Sequence, residues 1–395
     1  MIAEKMINLT KSNSVIRAMF EEGNRLAEKY GRENVFDFSL GNPNFPSPDA
    51  IREAIVEIVT NDDPILLHGY MTNAGFPDVR KKIAQSINSR FETDFNESNI
   101  IMSSGAAGAL NVVFKTLLNP GDEVIAIAPY FVEYRSYVDN FDGKLVVVPA
   151  NAEDFQPDAD AIANAVTEKT KAVILNSPNN PTGVIYTQEN IDKVAAVLKE
   201  KEKQFGTSIY IISDEPYREL AYGDAHVPYL TKHYKNTIVC YSWSKSLSLP
   251  GQRIGYILIP FEVDDYKLIF DAASIATRIL GFVNASSLIQ KAVALCLDEK
   301  TNIDGYDENR ILFYNTLKEY GFDVLYPQGA FYLWVKSPCD ESKFIEAAKA
   351  HNILLVPGST FACPGYVRIA YCISNDTIKR SLPGFKQLAK DLGIC

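Results

Sequence analysis

Histidine is scarce, with four residues in 395, and the six cysteines (Cys240, Cys296, Cys339, Cys363, Cys372 and Cys395) include no Cys-x-x-Cys pair. No metal cluster is expected, because His and Cys do not fall at ligand spacing. A chain of this length buries enough surface to fold without disulfide or metal staples, so a reduced, cytoplasmic protein is expected. No apolar run reaches 18 residues, so no membrane partner is expected. The start, Met1-Ile-Ala-Glu-Lys5, lacks the basic and then apolar pattern of a signal peptide. Basic residues are outnumbered, 39 against 49 acidic, for a formal charge of −10, and no Lys/Arg block interrupts that balance. No nucleic-acid partner is expected, since nothing here would track a phosphate backbone. Repeats, linker tracts and low-complexity stretches are also missing. What remains is an ordinary globular composition, 47% apolar and 22% charged. Its length suits two or three domains of about 150 residues.

Apolar periodicity predicts an amphipathic helix over 14–30, with Val15, Ile16, Met19, Phe20 and Leu26 on one side. Three prolines in Ser39-Leu-Gly-Asn-Pro-Asn-Phe-Pro-Ser-Pro48 then enforce a loop or crossing strand. From residue 99 short apolar runs alternate with helical stretches. The runs are 100–102, 124–128, 145–148, 172–175, 209–212, 238–241 and 256–259. Most are continuously apolar, as strands buried on both faces should be. Helices are expected at 106–118, 131–139, 158–166 and 189–204 between them. This alternation predicts an α/β fold with a mostly parallel, helix-covered sheet. The tail differs, with helices at 306–320, 341–351 and 376–391 around strands at 331–335 and 366–371. The expected organisation is a large domain over 49–294 and a smaller α+β domain over 295–395, with an N-terminal segment, 1–48, packing on the latter.

Chemistry concentrates where strands end. Ser242-Trp-Ser-Lys-Ser-Leu-Ser-Leu-Pro-Gly-Gln-Arg-Ile-Gly255 puts a lysine among small hydroxyl residues at a strand end, with an arginine eight positions later. Alone, it also suits a solvated loop lysine. Asn176-Ser-Pro-Asn-Asn-Pro-Thr-Gly183 and Ser213-Asp-Glu-Pro-Tyr217 follow two other strands, and Ser103-Ser-Gly-Ala-Ala-Gly-Ala-Leu110 joins a further strand to a helix. In a parallel α/β sheet such ends share one edge, where ligands bind.

Together these segments resemble the class I and II aminotransferases, pyridoxal-phosphate enzymes of fold type I. The resemblance runs from Ser39 to Tyr371 through seven features in the family's order. They are Gly41, Tyr70, the 104–110 turn, Asn180-Pro-Thr-Gly183, Asp214-x-x-Tyr217, Ser-x-x-Lys245 with Arg253, and Arg368. Trp243 departs from the smaller apolar residue usual there, a change that bears on packing more than chemistry.

The resemblance implies a seven-stranded large domain and a set of roles. Lys245 would form the Schiff base with pyridoxal 5′-phosphate and act as general base. Asp214 would keep the pyridine nitrogen protonated, and Tyr217 and Asn180 would bond the ring oxygen. Gly105, Ala106 and Ala107 at a helix start, with Ser242, Ser244 and Arg253, would hold the phosphate. Phe131 would stack on the ring. Arg368, helped by Asn180 and Gly41, would bind the substrate carboxylate. Tyr70 would reach the phosphate of a partner subunit, which implies a homodimer. Each residue also has a plainer reading: Asp214 as a helix cap, Tyr217 as a strand-edge tyrosine, Asn180 as a turn residue. Likewise Phe131 suits a core position, the small 105–107 run close helix packing, and Arg368 a buried salt bridge.

The implied activity is transfer of an amino group from an amino acid to a 2-oxo acid by a ping-pong mechanism. A carbon–sulfur β-lyase on the same residues and a non-catalytic regulatory protein are the alternatives. Ala107 stands where one aspartate-specific subgroup has a lysine, and Arg278 lies one residue off another subgroup's side-chain arginine, so the donor stays open.

Overall fold

The computed structural model describes residues 2–11 and 15–394. The first residue of the helix expected over 14–30 lies outside them, as do the side chains of Val15, Ile16 and Phe20. The helix itself runs Val15–Tyr30 and buries Leu26.

Among the described residues thirteen strands form three sheets. In chain order they are β1 (Phe36–Asp37), β2 (Ile100–Ser103), β3 (Glu123–Ala128), β4 (Lys144–Pro149), β5 (Thr170–Asn176), β6 (Tyr210–Asp214), β7 (Thr237–Ser242), β8 (Gly255–Leu258), β9 (Asp323–Leu325), β10 (Tyr332–Lys336), β11 (Ile353–Leu354), β12 (Val356–Pro357) and β13 (Tyr366–Ala370). The largest sheet has seven strands in the order β2-β8-β7-β6-β5-β3-β4. Only β8 is reversed: it pairs antiparallel with both β2 and β7, so those two and the rest point the same way. All seven expected runs are strands of this sheet.

Continuous apolarity reflects burial on both faces. Val124 and Ala126 pack with Ala109 and Val113 of the helix Gly105–Leu117 on one side. Ile125 and Ile127 pack with Val194 and Leu198 of the helix Gln188–Phe205 on the other. That second helix starts where Thr187 accepts from the Asn190 N–H and stops at Gly206, whose φ of 65° is left-handed. The edge strand β4 is less covered and buries only Leu145 and Val148, one in the core on each face of the sheet.

A four-stranded antiparallel sheet, β12-β13-β10-β9, is built from the tail. Its core gathers Phe38, Phe313, Phe344 and Phe385. The segment before residue 48 is tied to it: β1 pairs parallel with β11, and the Ala370 N–H donates to the Phe38 carbonyl. Helices Asp49–Asn61, Pro77–Phe91, Tyr266–Ile279 and Ser287–Leu295 were not expected from periodicity. Among the described residues no helix is long and apolar enough to cross a membrane.

Candidate active site

The shared strand direction brings the ends of β2, β3, β5, β6 and β7 to one edge of the sheet. Because β8 is reversed, its beginning lies at this same edge, with Gly255 opposite both Ser103 and Ser242. Arg253 therefore arrives beside the start of the helix Gly105–Leu117. A cavity of about 260 Å³ opens there. Of the residues singled out above, Gly41, Ala106, Ala107, Phe131, Asn180, Asp214, Tyr217, Ser242, Ser244, Lys245, Arg253 and Arg368 line it.

Lys245 sits on the single helical turn that follows β7 and donates from Nζ to the Gly41 carbonyl at 2.6 Å. Burial lowers its pKa to about 8, opposed by the nearby Cys372 and aided by Arg253 and Arg368. An amine this close to neutral is a usable nucleophile and base.

Asp214 ends β6, which runs two residues beyond the expected 209–212 and starts one later. It is 4% exposed. The Tyr134 hydroxyl donates to its Oδ2 at 2.5 Å, while Oδ1 is buried with no partner. Burial pushes its pKa up to about 7 against the pull of that hydrogen bond. A buried carboxylate oxygen left open is costly unless a ligand donor meets it.

Arg368 lies within β13 and is 2% exposed. Its Nη1 donates to Asn180 Oδ1 at 2.9 Å and its Nη2 to the Ser39 carbonyl at 2.6 Å, while Nε has no partner. Among the described residues no carboxylate pairs with it, so the salt-bridge reading falls. A guanidinium held this way has room for an anion.

The helix at Gly105 begins after Ser104, whose side chain makes no cap hydrogen bond, so its first N–H groups stay free for an anion. Gly105 has φ +73°, and a Cβ there would meet Arg253 Nη2 at 2.7 Å. Arg253 is steadied by the Pro250 carbonyl at 2.8 Å. The cavity can thus hold a flat ring with a basic nitrogen at Asp214, an anionic tail at the helix start and a carbonyl near Lys245. A second anion would lie at Arg368.

Two expected residues lie elsewhere. Gly105 lies against Arg253 but does not line the cavity, and Tyr70, 95% exposed, is outside it. Arg278 is exposed on its helix and does not line the cavity either. Tyr134, Tyr137, Asn176 and Tyr332 were missed, and so was the Ser39 carbonyl. Tyr134 follows Phe131 by three positions, a spacing that puts both on one side of a helical turn. Tyr332 carries no local signal, because it reaches the site from the other sheet. A larger cavity, about 380 Å³, lies against Trp243 and Ser246 on the lysine turn, but its Arg90 and Glu219 already pair at 2.6 Å.

The profile of the family described as aminotransferase class I and II matches residues 33–383. An aspartate aminotransferase of Thermotoga maritima is 30% identical over 354 residues, covering 89% of this chain and 90% of that protein. A probable aspartate/prephenate aminotransferase of Aquifex aeolicus is 32% identical, with 91% of each chain covered. The crystal structure of an aminotransferase from Eubacterium rectale superposes with a TM-score of 0.96 at 45% identity, covering 99% of this chain and 98% of that one. Lys245, Asp214 and Arg368 thus meet in a scaffold shared with that solved aminotransferase, and the chain belongs to the class I and II aminotransferases, enzymes that depend on pyridoxal phosphate.

Proposed function

We propose that the protein transfers an amino group from an L-amino acid to a 2-oxo acid in two half-reactions, the first oxo acid leaving before the second binds. The observation that carries this reading is the Lys245 amine, its pKa lowered, facing the same cavity as the open Oδ1 of Asp214. The residues fit the family cofactor. Asp214 Oδ1 suits a ring N–H, and the 105–107 N–H groups, Ser242, Ser244 and Arg253 suit the phosphate. Phe131 suits the ring face, and Tyr217 and Asn180 suit the ring oxygen. When bound, pyridoxal phosphate would supply an aldehyde for the Lys245 amine and a ring able to take up electron density from the substrate Cα. Arg368, with Asn180 and Gly41, orients the donor carboxylate. Lys245 Nζ removes the Cα proton of the donor and later delivers a proton to Cα of the new amino acid.

In this reading 49–294 form the cofactor-binding domain and 295–395 the smaller domain, which the separate sheets and cores support. Of the expected arm over 1–48, Phe36 to Phe38 pack on the smaller domain, whereas Lys5 reaches Asp142 of the larger one. Arg368 then comes from one domain and Lys245 from the other. A homodimer, with Tyr70 serving the partner's site, is supported by the exposed apolar run of Ile65, Leu66 and Tyr70.

The test is an absorption spectrum of the holoenzyme as single amino acids are added without an oxo acid, aspartate first because the relatives are named for it. The lysine-linked band should give way to the pyridoxamine band, with one oxo acid released per site. A persistent band with steady release of pyruvate and ammonia would show elimination instead. In the same assay Arg368→Ala should raise KM for every donor by roughly a hundredfold, the loss expected for a charge-assisted pair. If only some donors suffer, Arg368 does not hold the common carboxylate.

A further inference from the structure

Tyr332 begins β10 and is buried among three groups of the site. Its hydroxyl lies 2.9 Å from that of Tyr217. Its ring covers the Arg368 guanidinium at 4.4 Å. Strand register explains that second contact: Tyr332 pairs with Ala370 and Trp334 with Arg368, so Tyr332 and Arg368 are diagonal neighbours on one face. The third neighbour is Gly41, where any Cβ would collide with the Tyr332 hydroxyl. Gly41 is also the residue whose carbonyl holds Lys245.

A phenol has one proton to give. If Tyr217 spends its own on the cofactor ring oxygen, the hydrogen bond between the two tyrosines must run from Tyr332 to Tyr217. Donation from Tyr332 polarises the Tyr217 O–H and strengthens what it donates onward. The charged and titratable neighbours of Tyr332 are Tyr217, Arg368 and Cys372; burial outweighs the pull of Arg368 and pushes its pKa up to about 12. The phenol therefore keeps its proton over the working range.

We propose that Tyr332 is a positioning residue of the transamination site: its hydroxyl donates to Tyr217 and turns the Tyr217 proton toward the cofactor ring oxygen, while its ring braces Arg368. The proposal rests on the site reading above. Hydroxyl and ring do separable work. A weaker donor on the ring oxygen lets the lysine linkage hold its proton to higher pH, so the hydroxyl sets a spectroscopic midpoint. The ring sets how firmly Arg368 is presented to the donor carboxylate.

The experiment is a pH titration of the lysine-linked absorption band in holoenzyme, with KM and kcat for one donor. It compares wild type, Tyr332→Phe, Tyr217→Phe and the double variant. Tyr332→Phe should raise the midpoint by about half to one pH unit, the scale of one neutral hydrogen bond, and leave donor KM within about twofold. In the Tyr217→Phe background the same change should move the midpoint no further, because the hydroxyl acts through Tyr217. A wild-type midpoint in Tyr332→Phe, or an equal rise without Tyr217, would overturn the relay. Tyr332→Leu, which removes the ring, should raise donor KM about tenfold, and an unchanged KM would overturn the bracing of Arg368. Absence of any titrating band in wild type would instead strike the assignment of Lys245, a separate failure.

Discussion

Lys245→Ala should abolish the lysine-linked absorption band and lower transamination by roughly four orders of magnitude or more, because it removes the proposed anchor and proton carrier together. Lys245 has the right geometry for both tasks: it is tethered by one backbone carbonyl, faces the cavity and is shifted toward neutrality by burial. The variant should still bind pyridoxal phosphate, since the helix start, Arg253 and Asp214 are untouched. Single-turnover kinetics with one donor and spectra of the loaded variant check both halves. Transamination at near wild-type rate would refute the assignment. A small residual rate restored by added methylamine would support it, since a free amine can supply the missing base.

Asp214→Asn should lower turnover by about two to four orders of magnitude, since an amide cannot hold the ring nitrogen protonated. A second effect is visible without cofactor. The folded carboxyl has a pKa of about 7 against an ordinary 3.8, so the folded state holds this proton more tightly than the unfolded one. Its contribution is fully present below about pH 4 and is lost as pH rises through about 7. The cofactor-free protein should therefore lose stability between these values, by about 4 kcal/mol from this group alone, and the Asn variant should lose much less. Denaturant unfolding of both proteins from pH 4 to 8 measures the difference. Parallel curves would mean that Oδ1 is solvated in solution and that its open valence is not reserved for a ligand.

The two effects have one cause. Tyr134 satisfies one oxygen of Asp214 and the fold leaves the other unpaired, a penalty that a protonated ring nitrogen would relieve if it met Oδ1 as proposed. Binding and folding are linked through that oxygen, and pyridoxal phosphate should raise the unfolding temperature more at pH 8 than at pH 5.

The strands of the large sheet other than the edge strand β4 could be read from the chain because burial on both faces demands unbroken apolar runs, such as Val124 to Ala128. Strand β4 carries a like run, Leu145 to Val148, although it is partly exposed. Lys245, Asp214 and Arg368 could be read because each follows such a run, ends it or interrupts it, and Arg253 because it closes the loop that carries Lys245. Helices such as Pro77–Phe91 were not visible, since their apolar positions are diluted by charge and their packing partners lie far away in sequence. The short strands β1 and β11 carry no periodicity at two residues each, and only their pairing defines them. Most of all, sequence could not join the two sheets. Tyr332, the Ser39 carbonyl and Arg368 meet Asn180 and Tyr217 only because the chain from 36 to 41 crosses to the smaller sheet and back past Lys245. Local patterning thus picked out the candidate residues, since an ionisable group within or at the end of an apolar strand is costly once it is buried. Tertiary structure alone decided which of them touch, because contacts 115 to 329 residues apart leave no trace in local spacing.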